Sequence, residues 1–85
     1  SPQPVADKII SVNITGDSLP ADAKIEFSRN GKIYTVNNNQ ITLPYSDTPA
    51  INYTISISGK DIGSISPDSF AMTKDTNSIN LTYKA

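Results

Sequence analysis

Eighty-five residues with seven basic and eight acidic side chains, and with neither cysteine nor histidine, make one domain with a narrow chemical repertoire. The missing cysteine excludes a disulfide framework, thiolate metal sites and a cysteine nucleophile. The missing histidine removes the commonest zinc ligand and general base, and with them a Ser-His-Asp triad. Near-balanced charge without a run of either sign gives no footprint for nucleic acid or an anionic membrane, and no apolar stretch approaches the length of a membrane helix.

In chain order, residues 1–7 read as an extended linker, because Pro2 and Pro4 favour a stiff, non-helical path. The domain then spans 8–85. Lys8 to Thr15 alternates cleanly: Ile10, Val12 and Ile14 share one face, and Ser11, Asn13 and Thr15 share the other. A turn-rich connection follows over 16–22. From Ala23 to Val36 the pattern predicts a β-hairpin about Asn30-Gly31, the dipeptide that suits a type I′ turn with positive φ at both central residues. A two-residue loop there sets Phe27 opposite Tyr34 and Ile25 opposite Val36 on the core face, with Ser28 opposite Ile33 outside.

Asn37-Asn38-Asn39-Gln40 reads as a polar loop, Ile41-Thr42-Leu43 as a short strand closed by Pro44, and 45–50 as a proline-bracketed loop. The longest strand runs from Ile51 to Ser58, with Ile51, Tyr53, Ile55 and Ile57 inward. Gly59 to Ser64 breaks it. Residues 65–68 read as irregular or a very short edge piece. Phe70 and Met72 mark a sixth strand, and Ile79, Leu81 and Tyr83 a seventh. Abundant serine, threonine and asparagine, with scarce alanine and leucine, disfavour helices. The expected fold is all-β, a seven-stranded antiparallel immunoglobulin-like β-sandwich, with a small partly open barrel as the competing architecture.

The run Leu19-Pro20-Ala21-Asp22-Ala23-Lys24-Ile25, then Asn30-Gly31-Lys32, Ile41-Thr42-Leu43-Pro44, Tyr53-Thr54-Ile55-Ser56-Ile57 and Ile79-Asn80-Leu81-Thr82-Tyr83, resembles the small prealbumin-like or immunoglobulin-like modules of bacterial surface proteins. These are the PEGA and carboxypeptidase-regulatory-like families, with similar modules on phage virions. The resemblance implies a non-catalytic spacer, adhesion or surface-decoration role in an extracellular setting. It also implies neighbouring domains of a larger chain as partners and no cofactor. The competing reading is a carbohydrate- or protein-binding module attached to a secreted enzyme.

Candidate sites are few. No nucleophile or acid–base constellation is visible, so catalytic residues, cofactor-binding residues and metal ligands are all expected to be absent. The aspartates are scattered through turns without calcium-loop spacing. A lysine–asparagine crosslink from Lys8 to Asn80, helped by Glu26 or Asp7, is opposed by the strand phase, which turns Asn80 and Glu26 outward. Five of the six aromatic residues, Phe27, Tyr34, Tyr53, Phe70 and Tyr83, fall in core phase. That leaves Tyr45, with Asn37, Asn38, Asn39 and Gln40, as the expected partner-binding loops at one end of the sandwich, suited to a glycan or a surface protein.

Overall fold

The computed structural model describes residue 4 and residues 6–46 and 50–85. Most of the expected linker (1–3 and 5) and the middle of the expected 45–50 loop (47–49) lie outside the described residues.

The described residues form eight strands in two sheets. They are β1 (Ala6–Gly16), β2 (Lys24–Arg29), β3 (Lys32–Thr35), β4 (Gln40–Tyr45), β5 (Ile51–Ser58), β6 (Ser64–Ser66), β7 (Ser69–Met72) and β8 (Ser78–Lys84). One sheet has the order β4-β1-β8-β6 and the other β3-β2-β5-β7. Alternation along each strand sends every second side chain into the space between the sheets. Ile10, Val12, Ile41, Leu43, Ile79, Leu81 and Tyr83 enter from the first sheet. Ile25, Phe27, Ile51, Tyr53, Ile55 and Met72 enter from the second, and together they form the buried core. The all-β, two-sheet expectation holds.

Two details of the expectation are corrected. The described residues hold eight strands and not seven, because Ser64–Ser66 pairs with β8. A three-residue Ser-Ile-Ser segment is too short to show a period, so its alternation carries no signal. The sheets are also not wholly antiparallel. β1 runs parallel to β8, from Ser11 beside Ser78 to Gly16 beside Tyr83. Alternation tells which face a residue occupies but not which strand lies beside it. No tight turn forces an antiparallel arrangement on the first and last strands.

The hairpin forms as its turn chemistry demands. Asn30 and Gly31 have φ of 50° and 80°, Phe27 faces Tyr34, Ser28 faces Ile33, and Val36 N–H bonds the Ile25 carbonyl at 3.0 Å. β1 starts at Ala6, two residues before the alternation becomes clear, because Ala6 and Asp7 pair with Tyr45 and Pro44. β4 in turn runs through Pro44 and does not stop there. It is an edge strand, and proline is tolerated where its missing N–H faces outward.

Candidate functional site

β3 and β4 are the edge strands of opposite sheets, and the chain passes from one to the other through Asn37–Gln40. This connection is a second tight turn and not an open loop. Asn37 and Gln40 exchange both backbone hydrogen bonds at 2.9 Å, and Asn38 and Asn39 take φ of 52° and 59°. Asparagine is among the few residues that adopt this conformation readily, so backbone geometry accounts for its presence at 38 and 39. The Val12 N–H donates to the Asn39 carbonyl at 2.8 Å and pins the turn to the middle of β1.

Beside this turn the two edges leave a groove of about 430 Å³. Ile9, Gln40, Ile41 and Thr42 line it from the first sheet, Tyr34 and Thr35 from the second, and Asn37 and Asn38 from the turn. No lysine, arginine, aspartate or glutamate is among them. The side chains of Thr35, Asn37, Asn38, Gln40 and Thr42 make no hydrogen bond to another described residue. They present amides, which both donate and accept, next to hydroxyls that do the same. Asn38 and Asn39 also border a smaller hollow of about 140 Å³ on the far side of the turn, walled by Ile14, Leu19, Ala23, Ile25 and Val36.

The groove has a rigid back. Tyr34 is half-buried, and its ring meets Tyr53 edge-to-face with centroids 6.0 Å apart. Tyr53 meets Phe27 at 6.5 Å, and Phe27 meets Phe70 at 5.8 Å, so four rings form a continuous stack of edge contacts. The Tyr53 hydroxyl crosses the core and donates to the carbonyl of Pro44 on β4. A single side chain therefore contacts both walls, the ring of Tyr34 on β3 and the backbone of β4. Burial pushes the Tyr53 hydroxyl up from 10.0 to about 12, with Tyr34 adding to the rise, Arg29 opposing it and Asp7 adding to it.

Comparison of the chain with protein families, with curated proteins and with solved structures finds no match.

The structure brings together four of the five expected binding residues and separates the fifth. Asn37, Asn38, Asn39 and Gln40 form the turn. Tyr45 lies at the other end of β4, on the order of 17 Å away at the rise of a strand. It is not in a loop: it pairs with Ala6, shares its phase with Ile41 and Leu43, and packs half-buried against the core. Two of the other outward groups, Lys8 and Asn80, have ordinary partners. The Lys8 ammonium donates to the Lys74 carbonyl at 2.7 Å, and the Asn80 side chain accepts from Asn13 at 3.1 Å.

Residues 9, 34, 35 and 42 were not singled out by sequence. Tyr34 has core phase, which suggested full burial. Its strand is an edge, so the inward face there opens to solvent at its margin. One signal was available for Ile9: it is a large apolar residue out of phase with Ile10, Val12 and Ile14, and it is 63% exposed.

Proposed function

We propose that this domain is a non-catalytic adhesion module of an extracellular bacterial-surface or virion protein, and that it holds an uncharged, hydroxyl-rich ligand, a glycan, in the β3–β4 groove. The observation that carries the reading is the lining itself. Three side-chain amides and two threonine hydroxyls, none engaged by another described residue, surround a half-buried tyrosine and an exposed isoleucine without a charge among them. A sugar ring presents the complement: vicinal hydroxyls that pair with amides in both directions, and an apolar C–H face that packs on an aromatic or aliphatic surface. An acidic or basic ligand would find no counter-charge there.

The outer faces of both sheets suit an aqueous setting. Ser11, Asn13 and Thr15 on β1, Asn80 and Thr82 on β8, and Asn52, Thr54 and Ser56 on β5 are small, polar and exposed. Of the two sandwich types named by the resemblance, the constant-type immunoglobulin order places its first two strands in one sheet. Here β1 and β2 lie in opposite sheets. The prealbumin-like alternative is the one we retain.

The test is titration of the domain with neutral oligosaccharides, following backbone amide shifts. Expected are shifts clustered at residues 34–42, and binding weakened about tenfold in an Asn37→Ala/Thr42→Val double variant that melts at the parental temperature. A neutral-glycan panel that shifts no residue of the groove at millimolar concentration would refute the reading. Shifts that appear with an extended peptide instead would replace the glycan by a strand added to the β3 edge.

A further inference from the structure

The parallel pairing of β1 with β8 has a mechanical consequence. The chain enters the domain at the start of β1 and leaves it at the end of β8. Since these strands are neighbours and run the same way, their outer ends lie at opposite ends of the pair. Tension applied through the two ends of the domain therefore pulls β1 and β8 past each other lengthwise. The hydrogen bonds between strands run across the strand axis, so this direction strains the whole ladder together and does not open it one bond at a time. We propose that this pair is a tension-resisting clamp, and that the domain is built to stay folded while force passes along the chain that contains it. This rests on the reading of the domain as an adhesion module, where an attached surface pulls against an anchor.

The contacts between the two strands fit the role. The ladder covers six residue pairs, Ser11–Ser78 to Gly16–Tyr83. Backbone bonds hold both ends, from Ser11 N–H to the Asn77 carbonyl at 3.1 Å and from Asp17 N–H to the Tyr83 carbonyl at 2.9 Å. On the outer face the Asn13 amide donates to the Asn80 side-chain oxygen at 3.1 Å, and the Thr15 hydroxyl lies 3.4 Å from that of Thr82. At the exit, the Ala85 N–H donates to the Asp17 carboxylate at 3.0 Å. On the inner face Val12, Ile79 and Leu81 are buried and keep water from the ladder on that side. Neither strand is an edge: β4 flanks β1, and β6 flanks β8. The first half of β1 must also slide along β4, with which it pairs from Ala6–Tyr45 to Ser11–Gln40.

Single-molecule pulling in two directions tests the clamp on one folded protein. The chain has no cysteine, so Ser18→Cys adds a unique handle. Ser18 follows the end of β1 and lies by the exit of β8. Pulling between residue 18 and the C-terminus opens the pair from that end, whereas pulling between the N- and C-termini shears it. At equal loading rate, unfolding force from end to end is expected to exceed the 18-to-C-terminus force by about twofold or more, because forced unfolding reports the barrier along the pulled direction. Equal forces in the two directions overturn the clamp. Glycan titration of the same protein keeps the outcomes apart. Equal forces with binding intact remove the clamp alone, and direction-dependent forces without binding remove the adhesion reading alone.

Discussion

The hydroxyl of Tyr53 donates to the carbonyl oxygen of Pro44, joining an inner strand of one sheet to the edge strand of the other. The ring of the same residue supports Tyr34. Tyr53→Phe keeps the ring contacts and removes the bond, leaving the Pro44 carbonyl without this donor. The expected cost is about 1–2 kcal/mol. It would be read as a lower urea midpoint with an unchanged slope. A midpoint equal to that of the parent would show that the bond contributes nothing to stability.

Tyr53 also gives the domain an alkaline limit. Burial is the main reason its hydroxyl titrates at about 12 when folded, against 10.0 for an ordinary tyrosine. Below pH 10 both folded and unfolded chains hold this proton, and the contribution to stability is complete. Between pH 10 and 12 the unfolded chain releases it while the folded chain retains it, so stability falls as pH rises through that window. Unfolding free energies measured from pH 8 to 12 should decline more steeply for the parent than for Tyr53→Phe. Parallel curves would count against a raised Tyr53.

Two glycines should respond differently to alanine. A Cβ at Gly63 would overlap the Lys84 carbonyl oxygen and sit 2.7 Å from Ala85 Cα, so the 62–64 segment and the end of β8 would have to separate. We expect roughly 2–3 kcal/mol from this overpacking. Gly31 has open space around it and loses only the comfort of its φ of +80°, which should cost about 1 kcal/mol. Chemical denaturation of the two variants side by side checks the order, and a reversed order contradicts the packing at Gly63.

Leu81 and Ile33 form a second contrasting pair. Leu81 is fully buried in β8, whereas Ile33 is 63% exposed on β3. Leu81→Ala should cost about 2–5 kcal/mol through the cavity it leaves, a large part of the total stability of so small a domain. Ile33→Ala should stay within about 0.5 kcal/mol. Thermal melts of both variants test this, and a large loss from Ile33→Ala would place that side chain in an interface between molecules.

The hairpin was legible because two independent signals agreed, the Asn30-Gly31 turn chemistry and the phase of Ile25, Phe27, Tyr34 and Val36. The long β5 and the closing β8 were legible from alternation alone. What the sequence hid is whatever depends on lateral neighbours. Nothing in Lys8–Thr15 says that its second half lies beside Ser78–Tyr83 in the same direction. Pro44 looked like a stop because its position on an edge is a property of the sheet and not of the residues around it. The groove was half legible. Its polar turn stood out as a run of amides, but its walls come from β1, β3 and β4, and only folding places Tyr34 and Thr42 on either side of it. Tyr45 reads as a loop residue for the same reason, since it follows Pro44, yet it continues the edge strand and pairs with Ala6.

β4 has a further property that bears on how copies of this domain meet. An edge strand normally offers a row of free donors and acceptors to any passing strand, which is how sheets stick to one another. In an antiparallel pair every second residue turns its backbone groups away from the partner, and on β4 that set is Gln40, Thr42 and Pro44. Gln40 has both groups occupied by Asn37. Pro44 has no N–H, and its carbonyl is taken by Tyr53. Among the described residues only Thr42 keeps an outward N–H and carbonyl for a stranger. One residue is too short a template to propagate a sheet, so this edge does not recruit a strand from another molecule.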